Sequence, residues 1–160
     1  MSPFALRPGV RLALDWGTAR IGVAACDRLG TLAYPVETIA RASDLDGVGR
    51  RLRALAAEYE PVEVVMGLPR HLKGVEGATA GLIRQRAAWV ADLLGVDVRL
   101  VDERLSTVEA SRQLRASGRD AKGQRGVIDQ AAAVAILNHA LDLEKNTGLA
   151  PGERITGRTH

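Results

Sequence analysis

The 160-residue sequence predicts one α/β domain built on a mixed five-stranded sheet, three antiparallel strands followed by two parallel ones, flanked by helices. Three observations predict it. Segments of alternating polarity crowd the first 40 residues. Two later apolar runs are separated by stretches of helical period, which forces parallel entry through right-handed crossovers. The length suits one domain, and 46% apolar with 26% charged residues suits a soluble core rather than a disordered chain.

Val10, Leu12 and Leu14 alternate with Arg11, Ala13 and Asp15, giving a first strand. After the turn Trp16-Gly17-Thr18-Ala19, Arg20 to Cys26 forms a second, with Ile21, Val23 and Ala25 on one face. Asp27-Arg28-Leu29-Gly30 turns the chain into a third strand, Thr31 to Ile39, which completes an antiparallel meander. The period then changes. Ser43 and Asp44 can cap a helix carrying Leu45, Val48, Leu52, Leu55 and Tyr59. Val62 to Met66 is a short apolar strand stopped by Gly67-Leu68-Pro69. Ala78 to Leu94 follows as a helix with Leu82, Ile83, Ala87, Val90 and Leu94 inward, ended at Gly95, and Val96 to Glu103 is the fifth strand. Ser106 to Glu109 has capping-box spacing for a helix to about Ser117. Gly118 to Gly126 reads as a basic Gly-rich loop, and Val127 to Lys145 as an alanine-rich helix able to pack closely on a sheet. The expected organisation is an N-terminal extension (1–9), one domain (10–146) and a flexible C-terminal tail (147–160).

Composition removes several classes of function. Gln130 to Leu141 is too short to span a membrane, and Met1 to Asp15 lacks the basic-then-apolar pattern of a signal peptide, so a cytoplasmic location is expected. A single cysteine, Cys26, excludes an internal disulfide and a cysteine-based metal site; it reads as a small buried residue. The net charge is only +3, yet Arg104, Arg112, Arg115, Arg119, Lys122 and Arg125 face just Glu109 and Asp120 in the same stretch, a local excess larger than that of the whole chain. Such a patch suits phosphate, and equally a solvated helix face. Aromatics at 3% argue against a base-stacking sheet platform.

Three acids occupy unusual places. Asp15 ends the first strand, Glu103 ends the fifth beside Asp102, and Asp129 lies in the first turn of the last helix. Each has an ordinary structural alternative: a turn cap, an ion pair with Arg104 or Arg20, and a favourable macrodipole position. If they converge, their repulsion calls for a cation, and oxygen-only ligands select Mg²⁺ or Mn²⁺. A divalent ion leaves room for water and phosphate, as phosphodiester cleavage requires. No serine, cysteine or histidine pair suggests a covalent nucleophile; His139 and His160 stand on a helix and a tail.

Four blocks then become recognisable: Leu14-Asp15-Trp16-Gly17-Thr18-Ala19-Arg20-Ile21-Gly22-Val23-Ala24, Gly67-Leu68-Pro69, Asp102-Glu103-Arg104-Leu105-Ser106-Thr107 and Asp129-Gln130-Ala131-Ala132. In this order, over roughly residues 10 to 143, they resemble the YqgF/RuvX family. The resemblance implies a ribonuclease H-like fold and a nuclease that matures the 5′ end of pre-16S ribosomal RNA; family members have also been considered Holliday-junction resolvases. It implies Asp15, Glu103 and Asp129 as catalytic, metal-holding acids, with two Mg²⁺ or Mn²⁺ ions. Asp102 also matches the motif. Strand alternation places it with Val98 and Leu100, an apolar face, whereas Glu103 shares the face of Arg99 and Val101; Glu103 is therefore the expected ligand. Arg20, Arg70, Lys73, Arg104, Arg119, Lys122 and Arg125 are the expected substrate-binding residues. Gly17 and Gly22 read as keeping the first hairpin open to a phosphate backbone, or as plain turn residues. The sequence departs from the family pattern at Ala19, where lysine is frequent, and at Ser106, where threonine is usual.

Expected partners are nucleic acid (pre-16S RNA ahead of branched DNA), the small ribosomal subunit and, for junction cleavage, a second copy of the chain; a membrane is not among them. Two other classes are open. Asp15-Trp16-Gly17-Thr18 also resembles the phosphate-binding turn of sugar kinases and actin-like ATPases, which use two lobes where this chain has one. A non-catalytic assembly or nucleic-acid-binding factor would not need all three acids.

Overall fold

The computed structural model describes residues 6–69, 78–102 and 122–157. The meander forms as its alternation predicts: β1 (Arg11–Trp16), β2 (Arg20–Cys26) and β3 (Ala33–Ala40) pair antiparallel in sequence. The Gly17 N–H donates to the Arg20 carbonyl at 2.9 Å, and a Cβ at Gly17 would sit 2.8 Å from that oxygen, so glycine here serves the turn. Next comes α1 (Leu45–Tyr59), capped by Asp44, whose carboxylate accepts the Gly47 N–H at 3.2 Å. Then follow β4 (Glu63–Leu68), α2 (Ala78–Leu94), β5 (Asp97–Asp102), α3 (Lys122–Thr147) and β6 (Glu153–Ile155).

The sheet order is β3-β2-β1-β4-β5-β6, with β1, β4 and β5 parallel and β6 antiparallel to β5. It therefore has six strands, not the expected five. The extra strand comes from the segment expected to be a tail. Three residues without alternation carry no strand signal of their own; β5 supplies the template, and Gly152 (φ +65°) passes where a Cβ would lie 2.1 Å from the Leu100 carbonyl. Other boundaries also move. Gly67 and Leu68 belong to β4 rather than ending it, and the last helix begins at Lys122, so residues 122–126 are helical instead of loop. The helix expected over Ser106 to Ser117 lies outside the described residues.

Each face of the sheet has its own core. Leu12, Leu14, Ile21, Val64, Met66, Val98 and Leu100 pack against α1 and α2, where Trp16 meets Trp89 edge to face with ring centres 6.2 Å apart. Leu82, expected inward, is 42% exposed instead. The opposite face is built of small groups: Ala13, Ala24, Val65 and Val101 lie against Ala132, Ala133, Ile136, Leu137 and Ala140 of α3. Small side chains on both sides let this helix lie close to the strands. Cys26 is buried in the same layer; burial pushes its thiol up, and its Sγ accepts the Arg11 N–H at 3.4 Å. No described helix is long and apolar enough to cross a membrane.

The far end of α3 is fastened by charge. Glu144 and Arg11 are both buried and paired at 3.3 Å, and Arg7 donates to Glu144 through its backbone N–H (2.9 Å), Nε (3.0 Å) and Nη2 (2.7 Å). Arg7 also reaches Glu63, which accepts from Arg99 Nε at 3.1 Å. Desolvation pushes the Glu144 carboxyl up, but the Arg7 hydrogen bonds and the neighbouring guanidinium charges together outweigh it, and the group lies below its ordinary value. A depressed carboxyl stabilises the fold above its unfolded pKa, and that contribution disappears as pH falls through the folded value. Glu144→Gln should therefore flatten the loss of stability between about pH 5 and 3. Glu144→Ala, which strands Arg11, should cost about 3 kcal/mol in urea unfolding at neutral pH. Equal slopes with pH for the wild type and Glu144→Gln would remove the cluster from acid unfolding.

Candidate active site

Alternation along β1 sends Ala13 and Asp15 to the α3 face, and Leu14 and Trp16 to the other. Asp15 is opposite Gly22 on β2, and Gly22 is opposite Thr38 on β3, so these three share one row on the α3 side. The middle of that row has no side chain. An added Cβ at Gly22 would fall 2.0 Å from the Asp129 carbonyl oxygen and 2.4 Å from its carbon. The backbone of α3 thus rests directly on β2 beside Asp15, which corrects the reading of Gly22 as an opening for phosphate: the helix fills it.

This seating brings Asp15 and Asp129 to the same face, 3% and 2% exposed. Arg20, two residues before Gly22 and on the same side, donates from Nε to Asp129 Oδ2 at 2.7 Å. The next helix residue, Gln130, donates from Nε2 to Thr38 Oγ1 at 3.1 Å, which fixes the rotation of the helix over the row. Arg20 was expected to touch substrate or to pair with Glu103. Its described partner is Asp129, so it orients one of the acids.

On the other side of β1, the ladder with β4 continues toward Gly67, which pairs with Val101 on β5. Gly67 leaves no side chain between the levels of Asp15 and Val101. Asp102 pairs with Leu68, whose side chain belongs to the α1/α2 core, so Asp102 lies on the face away from Asp129. Lys122 and Arg125 fall in the opening turns of α3 rather than on a loop. Glu103, Arg104, Arg70, Lys73 and Arg119 lie outside the described residues. His139 is on α3, ten residues beyond Asp129, and takes no part.

Two buried carboxylates offering only oxygen donors suit a hard divalent cation. Among the described residues, no group of three or more acidic, histidine or cysteine side chains is placed to hold a metal by itself. Two features of this region were not read from the sequence. Gly22 is a seat for a helix, a role that only the position of α3 reveals. The Gln130–Thr38 bond spans 92 residues and has no local signal.

The mixed sheet with helices on both faces defines a ribonuclease H-like fold. In agreement, the Thermus thermophilus RuvC structure superposes with a TM-score of 0.54 at 18% identity, covering 86% of this chain and 97% of that one. Its complex with a Holliday junction substrate matches equally well in fold, with a TM-score of 0.54 at 17% identity. The chain belongs to the family described as RuvX: Holliday junction resolvase, whose model matches residues 9–143. Among curated relatives, a Streptomyces coelicolor protein is 56% identical over 151 residues, covering 94% of this chain and 90% of its own length. A Cutibacterium acnes protein is 51% identical over 150 residues, with 93% and 90% covered. Both carry the name "Putative pre-16S rRNA nuclease".

Gly22→Ala tests the seat. The new methyl must displace α3 at Asp129, at a cost of about 1–3 kcal/mol for overpacking, and must lengthen the Arg20–Asp129 bond. A thermal unfolding curve and a crystal structure of the variant would report both; unchanged stability and an unmoved helix would refute the seating.

Proposed function

We propose that this chain is a divalent-metal-dependent nuclease that processes the 5′ end of pre-16S ribosomal RNA in the cytoplasm. The observation that carries the proposal is that two buried acids, Asp15 from the central strand and Asp129 from α3, stand on one face of the sheet beside a glycine that admits the helix backbone. The names of the relatives give the RNA substrate; the family description keeps junction DNA as the second reading.

In this reading Asp15, Glu103 and Asp129 hold Mg²⁺ or Mn²⁺. The strand parity that turns Asp102 toward the α1/α2 core supports Glu103 as the third acid. Bound divalent ions supply an activated water and charge stabilisation for the leaving oxygen. The protein's own share is positional. Gly22 sets the separation of strand and helix, Arg20 holds the Asp129 carboxylate, and Gln130 fixes the helix rotation. Arg70, Lys73, Arg104, Arg119, Lys122 and Arg125 then bind the phosphate backbone. The small ribosomal subunit is the expected partner for RNA processing, and a homodimer for symmetric junction cleavage.

The deciding assay compares wild type with Asp15→Asn and Asp129→Asn on precursor ribosomal RNA ends, plain single strands and a four-way DNA junction, each with Mg²⁺ or Mn²⁺. Cleavage restricted to RNA and lost in both variants supports the proposal. Paired symmetric cuts in the junction transfer it to DNA, and cleavage by Asp15→Asn at the wild-type rate would sink the site assignment. Replacing Arg119, Lys122 and Arg125 with Ala should also lower the salt-dependence slope of RNA binding by roughly 0.7 per lost single-strand phosphate contact. An unchanged slope would show that these residues do not touch the backbone.

A further inference from the structure

Trp16 follows Asp15 directly, and alternation points it through the opposite face of the sheet. There, at the C-terminal end of β1, lies a cavity of about 400 Å³ lined by Trp16, Thr18, Ser43, Leu82, Ile83 and Arg86, among others. Its wall is an indole and two aliphatic side chains; its polar groups are hydroxyls and one guanidinium. Leu82 belongs to this wall, which is why a residue with inward helical spacing is 42% exposed. A second, more open groove shares Thr18 and Ser43 with the cavity and continues along Arg20 and Arg41. Arg41 is one of two non-glycine residues with positive φ among the described residues, at 56°. The N–H of the next residue, Ala42, donates to the Ala19 carbonyl at 2.9 Å and ties this loop to the β1–β2 turn.

We propose that this continuous cleft is a subsite for one unpaired nucleotide of the substrate strand, its base in the Trp16 cavity and its phosphate along the Arg41 groove. The inference rests on reading the chain as a nucleic-acid hydrolase and adds how that hydrolase selects its strand. The cavity has room for a single base. An indole and aliphatic walls accept any base face, while hydroxyls and a guanidinium satisfy base edges. Arg41 complements a phosphate there, next to Asp44, whose carboxylate accepts the Gly47 N–H, while Arg20 stays with Asp129. Asp15 and Trp16 both stand at the C-terminal end of β1, on opposite faces of the sheet, so a strand passing over that end of the sheet can present its phosphate to one and a base to the other. A base inside a duplex is stacked and cannot enter, so the subsite favours single-stranded RNA over paired arms. With aromatics at 3% of the chain, the Trp16 indole gives this pocket a stacking face for one base.

The test measures binding, so that it stands apart from catalysis. Full-length Asp15→Asn protein is titrated with short single-stranded RNAs, each carrying one abasic position, followed by anisotropy and by the indole NMR signal of Trp16. At one position, loss of the base should weaken binding about tenfold and abolish the indole shift. Leu82→Ser and Arg86→Gln, introduced singly and shown to melt like the parent, should weaken binding of intact RNA by a similar factor and become insensitive to that abasic position. Arg41→Ala should reduce the salt dependence. A flat abasic profile with normal binding of intact RNA overturns the subsite, as does parental affinity in folded Leu82→Ser. If wild-type protein cleaves nothing yet the abasic profile is sharp, the nuclease reading fails and the subsite stands.

Discussion

The contact between the α3 backbone and Gly22 governs the rest of the molecule. With 2.0 Å between the Asp129 carbonyl and the place a Cβ would take, no other residue type fits β2 at that level without moving the helix. Everything on that face follows from the close approach: alanines on both layers, a buried acid on the strand, and a second acid brought beside it. A larger side chain at position 22 would leave both acids present but move the helix that carries Asp129.

The two faces of the sheet divide the work by composition. Against α1 and α2 the strands present leucine, isoleucine, valine and methionine, and the depth of that layer provides the bulk of the hydrophobic stabilisation. Against α3 they present alanine, valine and Cys26, a thinner apolar layer that also contains charge at both ends. Acids and Arg20 stand at one end, and the Arg7, Arg11, Glu63 and Glu144 cluster at the other. Such buried ions stabilise less than apolar packing of equal volume, but breaking one leaves a charge stranded, so they fix a particular arrangement of the layers.

Much of this was legible in the chain. The meander, the Asp44 cap and the Ala78–Leu94 helix follow from period and capping residues, and the parity of Val98 and Leu100 puts Asp102 on the α1/α2 side. What escaped was non-local. Three residues of β6 become a strand only because β5 offers an edge. Arg7, Glu63 and Glu144 look like ordinary surface charges in sequence, because their burial depends on elements up to 137 residues apart. Gly22 reads in sequence as an opening for phosphate or a turn residue for the same reason: the group that needs its missing side chain arrives more than 100 residues later.

The arrangement of α3 also limits how the chain can change length. Asp129 and Glu144 are both buried, 15 residues apart, on a helix rising about 1.5 Å and turning about 100° per residue. One end is held by Arg20 and Gln130, the other by Arg7 and Arg11. A single inserted or deleted residue between them would rotate one anchor by about 100°, at the expense of either a distorted helical turn or a broken anchor. The interval from 129 to 144 is therefore a ruler whose length descendants of this sequence must keep, free as they are to vary which small residues mark it.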